Sequence, residues 1–230
     1  MAFARSHEIG RALRHRHWPT SRGQGPRRVY DRAMEATAIK HGISMEEYLA
    51  FERDAEEKHI LWDGEVFAMW AMAGASPTHN TIATNALGTL FNALRGGSCR
   101  VFNSDQKVWI PRKGGIVYPD ATVICGRLSL REGTTDVATN PSLIIEVLSP
   151  GTESFDRAEK FVGYRSVETL RHYVMVSSQE VLVEQYTRVG DGTWTLRVLG
   201  PGDVLSFAAP DLTVAVDDLY ERAFEEPAAP

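Results

Sequence analysis

Two acidic residues stand inside apolar, β-branched runs of this 230-residue chain. Asp120 lies in Val117-Tyr118-Pro119-Asp120-Ala121-Thr122-Val123-Ile124, and Glu146 in Pro141-Ser142-Leu143-Ile144-Ile145-Glu146-Val147-Leu148-Ser149. A carboxylate buried in such a run is costly unless a cation or hydrogen-bond donors compensate it. On neighbouring strands the two acids could share a divalent ion, with the Val147 carbonyl beside them. That hard-oxygen set suits Mg²⁺, with Mn²⁺ as the alternative. Lys160 follows in the helical pattern Phe155-Asp156-Arg157-Ala158-Glu159-Lys160-Phe161. Two acids and a lysine in this order suit phosphodiester hydrolysis. The ion polarises the phosphoryl group and acidifies a water, while a fixed cation steadies the developing charge.

Each of these residues also has a plainer reading. Asp120, after a proline, fits a turn acid bonded to backbone N–H groups. Glu146 with Lys160 or Arg157 fits a buried ion pair, and Lys160 alone fits a solvated helix position. Glu146 is the more diagnostic acid, because its strand reads as buried on both faces. His79 lies at a helix start, where capping or packing competes with a role as base. Asp105 is a site acid or a register-fixing polar residue. Asp156 pairs within its helix and orients Lys160; with Tyr164 it stacks at i−4 and i+4 beside that lysine.

The elements that must position these groups can be traced from patterning. Ser44-Met45-Glu46-Glu47 forms a capping box for a short helix. His59 to Met69 folds back at Asp63-Gly64 as a hairpin. Ser76-Pro77 opens a helix running to Leu94, with Ile82, Ala83, Ala86, Leu87, Leu90, Phe91 and Leu94 at helical spacing. Cys99 to Ile110 is expected as one long strand, followed by the Asp120 strand, a polar loop from Arg127 to Asn140 and the Glu146 strand. A helix over Glu153 to Val167 comes next. Strands are expected at His172–Val176, at Val181–Arg188 and Thr193–Val198 as an antiparallel hairpin, and last at Val204–Phe207. The order implies a mixed α/β fold with a central sheet.

Composition bounds the rest. An apolar fraction of 43% and a charged fraction of 24% are those of a globular domain large enough to bury a core unaided. Two cysteines without a CxxC or Cys/His cluster argue against zinc and fit a reducing, cytoplasmic compartment. No apolar run is long enough to span a bilayer. Residues 1–33 hold eight arginines against Glu8 and Asp31, a net +6 that leaves −11 for the remainder of a chain whose total is −5. This segment fits a disordered extension, or sequence upstream of a true start at Met34, better than a phosphate-gripping arm. The expected organisation is an extension over 1–43, one domain over 44–224 and a frayed tail over 225–230.

Tyr118-Pro119-Asp120 followed by Ile145-Glu146-Val147-Leu148 resembles the PD-(D/E)xK nuclease superfamily. The fuller set resembles its Uma-type, restriction-endonuclease-like branch: Asp63-Gly64-Glu65, Ser76-Pro77-Thr78-His79-Asn80, Ser104-Asp105, Tyr118-Pro119-Asp120, Glu146-Val147-Leu148-Ser149-Pro150 and Asp156-Arg157-Ala158-Glu159-Lys160. Each piece is weak alone, but together in order they extend the likeness over about residues 44–220. The resemblance implies a central mixed β-sheet flanked by helices, with additional antiparallel strands. It also implies a metal held by Asp120 and Glu146, DNA as the partner, and a homodimer. Two departures stand out. Leu148 occupies the usual lysine position, so Lys160 resembles a migrated lysine, with Lys107 as second candidate. Ile60 stands where relatives often carry an acid, leaving Glu65 or Glu57 as a substitute third ligand. The functional expectation is a Mg²⁺-dependent endonuclease; the alternative is a nuclease-fold protein that binds nucleic acid, or serves in defence, without catalysis.

Overall fold

The computed structural model describes residues 38–69, 76–151, 153–190 and 192–225. The basic segment over residues 1–33 lies outside them. In chain order the elements are β1 (Ala38–Lys40), α1 (Met45–Asp54), β2 (His59–Trp62), β3 (Glu65–Ala68), α2 (Pro77–Leu94), β4 (Cys99–Asn103), β5 (Lys107–Ile110), β6 (Gly115–Val117) and β7 (Ala121–Cys125). They continue with β8 (Val137–Ala138), β9 (Leu143–Leu148), α3 (residues 153–164), β10 (His172–Ser177), β11 (Val183–Arg188), β12 (Trp194–Leu199), β13 (Val204–Ala208), β14 (Asp211–Ala215) and α4 (Val216–Tyr220).

Local chemistry sets the first boundaries. The Ser44 hydroxyl accepts from the Glu47 N–H at 3.2 Å while the Glu47 carboxylate accepts from the Ser44 N–H at 2.9 Å, the reciprocal cap that opens α1. At the β2–β3 hairpin, Asp63 (φ 51°) and Gly64 (φ 78°) both take left-handed backbone conformations, which the two-residue turn between Trp62 and Glu65 requires. Ser76 caps α2 by accepting from the His79 N–H at 3.1 Å.

The strands form two six-stranded sheets and a separate hairpin. One sheet runs β1-β3-β2-β6-β5-β8 and the other β12-β11-β10-β9-β7-β4. The second is mixed: β9 and β10 pair in parallel, and its other pairs are antiparallel. Along β9 the side chains alternate between two cores. Leu143, Ile145 and Val147 join Ile82, Ala86 and Leu90 of α2 together with the β13–β14 hairpin and α4. Ile144 and Leu148 join the opposite core with Phe155 and Tyr164 of α3 and with Ile60, Trp62, Val108 and Ile110 of the first sheet. The second sheet is therefore packed on both faces, which is why β9 reads as a continuous apolar run. This is the mixed α/β architecture with flanking helices expected above.

Several boundaries differ from the sequence expectation. The single strand expected from Cys99 to Ile110 is two strands in different sheets, broken by a turn in which the Gln106 N–H donates to the Asn103 carbonyl. Asn103-Ser104-Asp105-Gln106-Lys107 is an unbroken polar run of the kind that marks a turn, a signal that the expectation of one strand passes over. Residues 38–40, expected within the extension, pair with β3. Two residues of the expected polar loop form β8 against β5. Val204–Ala208 is not the final strand, since β14 pairs with it and α4 follows. Cys99 and Cys125, whose usage is expected to fit a reducing compartment, are joined in a disulfide. They face each other in the β4–β7 register, which brings their Cβ atoms within bridging reach.

Candidate active site

Asp120 sits where the chain leaves one sheet for the other. β6 belongs to the first sheet and β7 to the second, and Tyr118-Pro119-Asp120 is the crossover. Pro119 has no N–H to donate, which suits a position between ladders. In the β7–β9 register Ala121 faces Ile145 and Thr122 faces Ile144. Continued by one residue, that register sets Asp120 opposite Glu146, at the roughly 5 Å Cβ separation of directly opposed residues. The Val147 N–H donates to Asp120 Oδ2 at 2.7 Å and pins the carboxylate to β9.

Glu146 points to the face of β9 that α3 covers. Its Oε1 accepts from Lys160 Nζ at 3.0 Å and from the Tyr164 hydroxyl at 2.6 Å. Lys160 Nζ also lies 2.7 Å from Asp156 Oδ1. Asp156, Lys160 and Tyr164 succeed one another at four-residue spacing, so one face of α3 delivers all three. The helix departs from α geometry over Asp156–Lys160, where it widens to a π segment between the α-helical stretches Glu153–Phe155 and Phe161–Tyr164. π segments of this kind are frequent at functional sites because they re-aim side chains within a helix.

Asp120, Glu146, Asp156 and Lys160 line one cavity of about 70 Å³, together with Ile60, Met69, His79, Tyr118, Val147 and Ser149. His79 Nε2 stands 3.6 Å from Asp120 Oδ2. Glu146 is 3% exposed, Asp156 2% and Lys160 9%, so two carboxylates meet one ammonium largely out of water, with Asp120 on the same cavity. Burial raises the Asp120 pKa against the pull of His79, the Val147 N–H and Lys160. Glu146 is likewise raised by burial, which outweighs the opposing Lys160 charge and is reinforced by Asp156 and Asp120. An ion-paired glutamate would ordinarily be lowered. Here Lys160 is shared, and the charge that holds it first is Asp156. Burial alone would depress Lys160; the two carboxylates reverse this and raise it, so it stays an ammonium.

The donor set fits a divalent cation. Burial first, reinforced by neighbouring carboxylates, raises both acids, and a cation bound between them would offset that cost. Among the described residues no three Asp, Glu, His or Cys side chains converge as a ready-made cluster. Mg²⁺ does not need one, since it commonly takes one or two carboxylates and keeps several waters. Asp120 and Glu146 are the residues that would hold it.

Of the residues expected from sequence, Asp120, Glu146, Val147, Lys160, His79 and Asp156 come together. Three others have partners elsewhere. Lys107 pairs with Asp136 at 2.6 Å, Asp105 with Lys58 at 2.5 Å, and Glu65 with His41 at 2.9 Å. None of the three lines the cavity, and nor does Glu57. Ile60 does line it, as an apolar wall. Sequence reasoning missed Ser149 and Met69, and also Glu52, which accepts a hydrogen bond from Tyr118. Four-residue spacing signalled Tyr164, but nothing in the pattern marked Met69.

Comparison with known proteins gives three findings. The sequence profile described as "Uma2: Putative restriction endonuclease" matches residues 45–217. Two relatives from Synechocystis sp., slr1290 and sll1609, carry the description "Uncharacterized protein". The first is 38% identical over 179 residues, covering 77% of this chain and 91% of the relative. The second is 34% identical over 166 residues, covering 72% and 92%. A crystal structure from Anabaena variabilis, described as "a putative nuclease belonging to DUF820", superposes with a TM-score of 0.65 at 15% identity, covering 79% of this chain and 99% of that one. At that identity the likeness is one of fold.

Proposed function

Because the chain belongs to the Uma2 family of restriction-endonuclease-like proteins, we propose that it is a Mg²⁺-dependent endonuclease hydrolysing phosphodiester bonds in DNA. The observation that carries this reading is the meeting of Asp120, Glu146 and Lys160, from three separate elements, in one buried cavity. An ion held by Asp120 and Glu146 supplies Lewis-acid polarisation of the phosphoryl group and a lowered water pKa.

The chain's own residues do the remaining work. The Val147 N–H holds one Asp120 oxygen and the Tyr164 hydroxyl holds one Glu146 oxygen, so both carboxylates are oriented before any ligand arrives. Lys160 has three N–H donors. Its hydrogen bond to Glu146 and ion pair with Asp156 hold the ammonium in place, with an N–H to offer a phosphoryl oxygen whose charge grows in the transition state. Ile60, Met69 and Tyr118 provide apolar cover that limits water and strengthens these interactions.

The test is plasmid nicking by purified protein with Mg²⁺ or Mn²⁺. Wild type should nick, chelator should stop it, and Asp120→Asn and Glu146→Gln should each lose activity by about 10² or more. Equal nicking by wild type and both variants would sink the assignment. Chelator-insensitive binding without cleavage would favour a nuclease-fold binding protein instead.

A further inference from the structure

A second cluster of buried polar side chains ties α1 to the crossover that carries Asp120. Glu52, in the last turn of α1, is 9% exposed, and its carboxylate is fully engaged. It accepts from the His59 backbone N–H at 3.0 Å, from the Tyr118 hydroxyl at 2.7 Å, and stands 2.9 Å from His59 Nδ1. The Tyr48 hydroxyl completes the cluster by donating to the His59 carbonyl at 2.7 Å.

Packing alone does not call for such a group. A buried carboxylate carries a desolvation cost that an apolar residue of similar volume would avoid, so its retention points to a directional task. α1 contributes no side chain to the cavity, yet Tyr118 does. Tyr118 is thus the joint between Glu52 and the site. Its ring walls the cavity, its hydroxyl is fastened to Glu52, and its backbone runs through Pro119, of fixed φ, directly into Asp120. The crossover is therefore gripped at both ends, by Glu52 through Tyr118 and by the Val147 N–H at Asp120.

We propose that Glu52 is a positioning residue: through the Tyr118 hydroxyl it sets the 118–120 crossover so that Asp120 meets Glu146 in register for a shared ion. The inference rests on the nuclease reading above and extends it to a helix that never touches the cavity. A merely structural Glu52 would affect stability and leave ion affinity alone.

Two isosteric variants separate these roles. Tyr118→Phe and Tyr48→Phe each remove one hydroxyl from the same cluster, but only Tyr118 lies on the segment that runs into Asp120, whereas Tyr48 meets that segment through the Tyr118 side chain alone. Mn²⁺ alone, without nucleic acid, is titrated into the full chain and followed by electron paramagnetic resonance or calorimetry, with melting temperatures measured in parallel. Tyr118→Phe and Glu52→Ala should weaken Mn²⁺ binding by about tenfold, the scale of lost outer-shell support. Tyr48→Phe should lower the melting temperature while binding Mn²⁺ as wild type does. Glu52→Gln, which keeps an acceptor for Tyr118, should retain most of the affinity. Unchanged affinity in Tyr118→Phe, or an equal loss in Tyr48→Phe, overturns the positioning role. Asp120→Asn identifies the level at which a failure lies. If wild type takes up no Mn²⁺, or Asp120→Asn takes up as much, the nuclease reading falls and this inference with it. If Asp120→Asn loses the ion and Tyr118→Phe does not, the positioning role alone falls.

Discussion

In the cavity, Glu146 and Asp156 share the ammonium of Lys160, while Asp120 is held by the Val147 N–H with His79 beside it. Asp156, 2.7 Å from the nitrogen, keeps the lysine charged and in place. Glu146 gains less from it and stays raised by burial, so a dication would have to displace its proton on binding. The lysine is the residue that sequence reasoning left between two candidates. Lys107 reaches Asp136 at the surface, whereas Lys160 pairs with Glu146 and lines the same cavity as Asp120. Lys160→Ala should therefore reduce nicking by about 10² to 10³, as expected for a lost transition-state donor. Lys107→Ala should stay near wild type. A loss of nicking in Lys107→Ala alone would reverse the choice.

At the scale of the element, α3 must approach the first sheet closely to present Lys160 and Tyr164 to β9. Gly163 makes this approach possible. A Cβ there would lie 2.5 Å from the Trp62 ring and 2.8 Å from Ile110 Cγ2. Lys113 adds a polar tie, reaching Glu159 of the π segment at 3.0 Å and Asp63 of the hairpin turn at 2.7 Å. Gly163→Ala would gain about 1 kcal/mol of helix propensity. Against this, overpacking on two buried side chains costs about 1–3 kcal/mol or more at such short contacts. The net expectation is destabilisation, read as a lower urea midpoint. A midpoint at or above wild type would mean that α3 can shift without penalty.

For the whole molecule, stability should carry a pH dependence that originates away from the site. His172 on β10 is buried, with Nδ1 3.1 Å from Thr187 Oγ1 and the ring edge-on to Phe207. Burial first, and then the neighbouring Arg171 charge, lower its pKa from 6.5 to about 4. The folded protein keeps this imidazole neutral, whereas the unfolded chain takes up a proton below about 6.5. Its contribution is thus complete above pH 6.5 and is lost as pH falls from there through about 4. After allowance for solvent screening the loss is about 1–2 kcal/mol. Urea midpoints at pH 7 and pH 4.5 should fall further apart in wild type than in His172→Gln. An equal drop in both would show that other groups carry the acid sensitivity. Among the described residues no helix is long and apolar enough to cross a membrane.

Where chemistry is local, the amino-acid order was a sufficient guide. The α1 cap needs only Ser44 and Glu47, the first hairpin only Asp63 and Gly64, and the face of α3 only the spacing of Asp156, Lys160 and Tyr164. Two carboxylates in buried runs announced a charge that something must compensate, because burial of an ion is expensive wherever it occurs. Long-range pairing was not legible. The polar run over residues 103–107 marks the turn within Cys99 to Ile110, but not that its two sides join different sheets, since patterning records which face is buried and not which partner is bonded. The same limit hid the register that sets Asp120 opposite Glu146, the disulfide across β4 and β7, and the reach of Glu52 to Tyr118 over 66 positions. Residue types specified the acids and the ammonium; only the packing of two sheets and a π-widened helix decided which of them meet.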